Sequence, residues 1–255
     1  MRTMDSPEKE FDKLWPVVER LCRFFLLGKR LEIKGKGNFI KTGPNIIVGN
    51  HIGTFKDIAT ILKIVPRPIF FTANKMLFNK DEFNYLIKKH LKRHLKSFGY
   101  FADLVLDPLK TRFIHFISSN ITKVGTIPVD LTGQKRLAFE RCQEYLKMGR
   151  AIITLQGKGR IQRGDPNPYI SPFRRGPSII SYNLFTKDYI SVAVTPVAMF
   201  GTQLPFLIPN KIKVNVGEPM FVSDYIADGY SATVEKFRAA MERRVRDLLM
   251  ELIRA

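Results

Sequence analysis

The sequence predicts an α/β fold: a mostly parallel central sheet with helices on both faces, preceded by an amphipathic N-terminal helix. Three observations lead there. Short apolar runs bounded by turn residues alternate with longer stretches of helical periodicity, the pattern of strands joined by crossover helices. The 255 residues are 45% hydrophobic and 25% charged, with 17 Gly and 15 Pro, a composition that can build a core and excludes disordered and collagen-like classes. No internal repeat and no long polar linker breaks the pattern.

The elements follow in order. Glu8 to Leu27 carries Phe11, Leu14, Trp15, Val18, Leu21, Cys22 and Phe25 at spacings of three and four, with Pro16 inside the pattern. Its end, Phe24-Phe25-Leu26-Leu27, is apolar on nearly every side before Gly28-Lys29-Arg30 closes it. Residues 1–30 therefore form an amphipathic segment that either packs on the domain of residues 31–255 or lies in a membrane interface with basic residues at the boundary. Strands are expected at Asn45–Gly49, Pro68–Thr72, Gly125–Val129, Ala151–Leu155, Ile190–Val197 and Lys211–Val216. Helices are expected at Ile58–Ile64, Lys80–Phe98, Pro108–Thr122, Gln134–Met148, Gly176–Phe185 and Thr233–Ile253. In the last helix Val234, Phe237, Met241, Val245, Leu248 and Leu252 make one stripe, and Cys142 falls on the apolar face of its own helix. Tyr189 to Asn210 is free of charge apart from its context, yet Pro196, Gly201, Gln203, Pro205 and Pro209 make it a buried strand and apolar loop rather than a membrane span.

Charge narrows the partners. With 42 Lys and Arg against 23 Asp and Glu, the formal charge is +19, which calls for a polyanion: nucleic acid, an anionic membrane surface or a phosphorylated substrate. Lys88, Lys89, Lys92, Arg93 and Lys96 form a basic block on one helix. His90 and His94 share its face, but Leu91 stands where a zincin carries glutamate, so a solvated basic face is expected and no metal. His115 reads as a helix or core histidine. The two cysteines, Cys22 and Cys142, fit neither a disulfide framework nor a zinc spacing. A P-loop and a G-x-S-x-G elbow are absent from the sequence, and Gly157-Lys158-Gly159-Arg160-Ile161-Gln162 has Gln where a dinucleotide fingerprint needs its third Gly.

In open α/β sheets, ligands bind outside the carboxyl ends of strands. Asn50-His51 stands at such an end, and Asp57 follows on the next element. A carboxylate bound to Nδ1–H fixes the imidazole tautomer and leaves Nε2 as a general base. Ala151–Leu155 runs into Gln156-Gly157-Lys158-Gly159-Arg160, a glycine-rich basic loop suited to an anion.

The order of Asn50-His51 to Asp57, Gly125–Asp130, Gln156–Arg160 and Val194-Thr195-Pro196-Val197 resembles the glycerolipid acyltransferase superfamily, whose type members are the lysophosphatidic acid acyltransferases. That family's blocks are N-H-x4-D, a G-x-x-F/P-I/V-D-R-like strand end, F-P-E-G-T-R and a V-P-V-like strand. This chain departs in three places: His51 and Asp57 are spaced H-x5-D, Leu131 replaces the second-block Arg with Lys135 and Arg136 close behind, and the third block lacks its glutamate while Arg160 matches its arginine. The resemblance implies a glycerol-phosphate acyltransferase-like fold. It implies transfer of a fatty acyl group from acyl-CoA or acyl-carrier protein, as co-substrate with no bound cofactor, to the hydroxyl of a lysophospholipid, 1-acylglycerol-3-phosphate first. His51 would be the base and Asp57 its orienting partner. Gly157, Lys158, Gly159 and Arg160 would hold the substrate phosphate. The expected setting is the cytoplasmic face of an anionic membrane, bound peripherally, with no nucleic-acid partner. Two other readings are a catalytically inactive anionic-lipid-binding protein of the same fold and a nucleic-acid binder using the helix Lys80–Phe98.

Overall fold

The structure is a computed structural model describing residues 7–95, 107–123, 125–130, 133, 136–157, 159–161, 167–205 and 208–254, with side chains left undescribed at 7–11 and 90–95. The chain forms two compact units, one from described residues up to Leu14 with Phe70–Ala138, the other from Trp15–Ile69 with Phe139 onward.

The larger unit holds five adjacent strands in the order β1 (Lys29–Lys34), β7 (Asn210–Val216), β6 (Ala193–Phe200), β2 (Asn45–Asn50) and β5 (Ala151–Gln156). β2 lies parallel to both β5 and β6, placing Asn50 opposite Gln156 and Gly49 opposite Val197. All six residues of β2 are buried. Because successive strand side chains point to opposite faces, burial of every one means that both faces are covered, which is why Ile46-Ile47-Val48 reads as a continuous apolar run. On one side the long helix α7 (Tyr230–Arg254) packs on β6 and β7, burying Val234, Phe237, Met241, Val245, Leu248 and Leu252 as its stripe requires. Helix α2 (Phe55–Ile64) buries Ala59, Ile61 and Ile64, and α6 (Gly176–Asp188) buries Ile180 and Leu184. Helix α5 (Arg136–Lys147) crosses from one unit to the other and buries Cys142 and Leu146.

In the smaller unit, residues 70–74 of β3 (Ile69–Asn74) run parallel to β4 (Ile127–Val129), with Thr72 opposite Ile127. Helices α3 (Lys80–Leu95) and α4 (Asp107–Asn120) pack through Phe83 and Phe113, ring centroids 6.0 Å apart. His115 is an exposed residue of α4, a helix histidine and not a core one.

Three differences from the sequence reading have physical reasons. Helix α1 (Pro7–Phe25) stops at Phe25, and Lys29–Lys34 is a strand the sequence reading did not anticipate. Only Leu31 and Ile33 are apolar in Lys-Arg-Leu-Glu-Ile-Lys, so its short alternation is that of a charged edge strand. Second, β7 runs antiparallel to β6, since the short 201–209 connection cannot make the crossover that a parallel pair needs. Third, α2 begins at Phe55, ahead of the expected Ile58, which brings Asp57 into its first turn. The apolar stretch after Tyr189 is a strand and a loop as expected, and no described helix is long and apolar enough to cross a membrane.

Candidate active site

β2 ends at Asn50, and the next residues turn directly into α2. From the first turn of that helix, Asp57 reaches back so that its Oδ2 accepts hydrogen bonds from the backbone N–H of Ile52 (2.8 Å) and Gly53 (2.7 Å) and lies 2.8 Å from His51 Nδ1. The longer H-x5-D spacing therefore still closes. Within this turn Thr54 sits at φ 53°, ψ −119°, a region costing a non-glycine residue about 1–3 kcal/mol. Gly53 makes the close approach this turn needs: a Cβ there would lie 2.6 Å from the carbonyl oxygen of Thr202.

The Asp57 side chain is 0% exposed and that of His51 is 20% exposed. A buried carboxylate must replace its lost water, and three donors on one oxygen do so. Oδ1 is also buried and has no hydrogen-bond partner among the described residues. An ionised carboxylate only accepts, so Nδ1 carries the proton and the imidazole lone pair is on Nε2.

Gly157 and Gly159, just after β5, lie beside His51. Gly157 has φ 137° and Gly159 φ 72°. A Cβ at Gly159 would stand 3.1 Å from His51 Nε2, and one at Gly157 would be 2.8 Å from the His51 carbonyl oxygen. The Thr54 hydroxyl donates to the Gly159 carbonyl at 2.7 Å. Thus the structure gathers His51, Asp57, Gly157 and Gly159. Arg160 is half-buried in the same loop, and Lys158 lies outside the described residues. Gln156, buried, donates to Thr154 Oγ1 (3.0 Å) and accepts from the Arg174 N–H (3.0 Å), fixing the segment that enters α6.

Sequence reasoning left three contributors without a role. Asn50, fully buried, donates to the carbonyls of Met199 (2.9 Å) and Tyr169 (3.3 Å) and accepts from the Met199 N–H (2.8 Å), so it locks the end of β2 to β6 directly before His51. Its signal was a polar residue closing an apolar strand. Lys56 donates to the Leu204 carbonyl, while Lys29 donates to the carbonyls of Pro205 (2.8 Å) and Ile208 and to Asn210 Oδ1. Burial lowers the pKa of the Lys56 ammonium, Lys29 adds to the effect, and Asp57 opposes it. Together these lysines moor Leu204, Pro205 and Ile208 beside the His51 turn. Asp130, in the smaller unit, is tied to Lys75 (2.6 Å) and to the Gly133 N–H (2.8 Å); Leu131 and Lys135 lie outside the described residues.

A histidine aligned by a buried aspartate at the carboxyl end of a strand, on a largely parallel α/β sheet, has the geometry with which an imidazole can accept a proton at Nε2. Comparison with solved structures shows the same fold in an acyltransferase. The chain is similar to the 1-acyl-sn-glycerophosphate (LPA) acyltransferase PlsC from Thermotoga maritima, with a TM-score of 0.58 and 18% identity over 98% of this chain and 84% of that one. Neither a protein-family model nor a curated protein matches the sequence.

Proposed function

We propose that this protein is an O-acyltransferase that moves a fatty acyl group from an acyl thioester, of coenzyme A or carrier protein, to the hydroxyl of a lysophospholipid, with 1-acylglycerol-3-phosphate as the first acceptor to test. The observation that carries the reading is the 2.8 Å contact between His51 Nδ1 and a fully buried Asp57, on the fold of an LPA acyltransferase.

The chemistry follows from that geometry. The acceptor hydroxyl attacks the thioester carbonyl while its proton passes to Nε2. Asp57 stabilises the imidazolium, and collapse of the tetrahedral intermediate expels the thiolate, which takes the proton back from His51. A positioned base of this kind supplies ~10²–10⁴-fold in rate. Holding donor and acceptor together supplies much of the remainder. Gly157 and Gly159 let an acceptor approach the imidazole edge, and Lys158 and Arg160 offer charge to its phosphate. Arg160→Ala should then raise the acceptor KM far more than the donor KM in steady-state kinetics; equal changes would remove the phosphate role.

An anionic membrane is the proposed surface on which this happens, at its cytoplasmic face. Phe24 and Leu27 are 54% and 62% exposed, and Ile208 and Leu204 are exposed on the neighbouring loop. The segment between α1 and β1 is tied to the start of β7 by the Asn210 N–H to Gly28 carbonyl bond (3.2 Å) and to that loop by the Lys29 contacts. Exposed apolar side chains next in sequence to Arg23 and Arg30 suit a headgroup boundary.

A screen of lysophospholipid acceptors against both thioester donors, with His51→Ala as the control, tests the reading. Vesicle binding with no turnover of any acceptor would favour the alternative of an inactive lipid-binding protein, whose support is the missing third-block glutamate.

A further inference from the structure

Thr54 is an anomaly in this site. It is one of two non-glycine residues with positive φ among the described residues, the other being Tyr189 at the end of α6. Tyr189 sits in the ordinary left-handed region that closes helices, at φ 56°, ψ 30°. Thr54, at φ 53°, ψ −119°, does not, and a β-branched residue is the poorest choice for such a conformation. As N-cap of α2 it makes no capping hydrogen bond with its side chain. Its hydroxyl is turned instead to the Gly159 carbonyl, 105 residues away in sequence, at 2.7 Å.

That bond joins the two halves of the site. On one side is the turn that aligns His51 and Asp57. On the other is the residue whose missing Cβ leaves Nε2 open, since a Cβ at 159 would lie 3.1 Å from that nitrogen and 3.5 Å from the Thr54 Cα. We propose that Thr54 is a positioning residue: it accepts a strained backbone so that its hydroxyl can pin Gly159 against the Nε2 edge of His51, and in doing so it sets the width of the opening an acceptor hydroxyl must enter. The proposal rests on His51 acting as the base. It explains why a threonine occupies a position where glycine would relieve the backbone, because glycine has no hydroxyl to give.

The role separates stability from function, which a merely structural role would not. Thr54→Gly relieves the backbone and removes the pin. Thr54→Ser keeps the hydroxyl, and Thr54→Ala removes it with a Cβ retained. Thermal unfolding, acyl-transfer kinetics and the rate at which diethyl pyrocarbonate modifies His51, followed by peptide mass mapping, are measured on the full chain. Thr54→Gly should unfold at or above the parental temperature, lose ~10–100-fold in kcat as a displaced site does, and expose His51 to several-fold faster modification. Thr54→Ala should share the loss and the faster modification, and Thr54→Ser should restore both toward the parent. Parental kcat and parental His51 reactivity in Thr54→Gly would overturn the proposal. So would a lower unfolding temperature with activity lost equally in Thr54→Ser. If the parent transfers no acyl group to any acceptor, the functional reading fails, and the His51 modification rates still decide whether Thr54 pins the loop.

Discussion

At Asp57 a single carboxylate oxygen gathers two backbone N–H groups and an imidazole, and this makes the pair sensitive to small changes. His51→Ala and Asp57→Asn should each reduce acyl transfer by ~10²–10⁴-fold with the far-ultraviolet circular dichroism of the parent; full activity in either would remove the dyad. Gly159→Ala should be nearly as damaging. It forces a Cβ into φ 72° and places it 3.1 Å from Nε2, so kcat should fall by ~10-fold or more in steady-state assays. The sequence made His51, Asp57 and the two glycines legible because a strand end, a carboxylate close behind and a glycine-rich loop are local patterns. It did not make the roles of Thr54 or Lys29 legible. Their partners, Gly159 and Pro205, are far away in the chain, and nothing local marks a side chain whose function is a long-range hydrogen bond.

Among the elements, those with both faces buried were the plainest in sequence. β2 is buried at every residue, β5 at all but Thr154 and Leu155, and the α7 stripe along its core-facing side, so packing imposes the apolar pattern there. The strand Lys29–Lys34 was not visible, because an edge strand can alternate Leu and Ile with charge and still pair through its backbone with β7. Packing also fixes the cost of damage. Phe237 is fully buried on α7, tilted against Tyr225 with centroids 5.1 Å apart, and Phe237→Ala should cost about 3–5 kcal/mol in urea unfolding. The thiols report the same packing. Burial raises the pKa of Cys142 to about 12, and burial with the nearby Glu19 raises that of Cys22 to about 11, both from 9.0. Each folded-state thiol therefore holds its proton more tightly than in the unfolded chain. This contribution to stability is complete below pH 9.0 and is lost as pH rises through about 11. Unfolding followed between pH 8 and 11 should show stability falling on the alkaline side, and a thiol reagent at pH 8 should react rapidly only after denaturant is added.

At the scale of the whole molecule, the formal charge of +19 is spread over both units. In the smaller unit, Lys88 and Lys89 are exposed on α3; the side chains of Lys92 and Arg93, and Lys96 itself, lie outside the described residues. In the larger unit, the exposed Arg23 and Arg30 flank the exposed Phe24 and Leu27 in sequence. An anionic bilayer uses both kinds of feature, with each basic residue near the surface contributing ~1 kcal/mol. Duplex DNA would use the charge alone. Replacing Phe24 and Leu27 by Ser should weaken co-sedimentation with phosphatidylserine vesicles by ~10-fold or more at fixed ionic strength, since each buried apolar side chain is worth about 1.5–3 kcal/mol. Unchanged vesicle binding, with retention on DNA that falls with salt, would favour the nucleic-acid reading. The most direct test of the account remains chemical. Purified protein supplied with acyl-CoA or acyl-carrier protein and 1-acylglycerol-3-phosphate or another lysophospholipid should form the diacyl product, and His51→Ala should form it ~10²–10⁴-fold more slowly. Turnover that is equal in the parent and in His51→Ala, or that is absent from the parent with every acceptor and both donors, would contradict it.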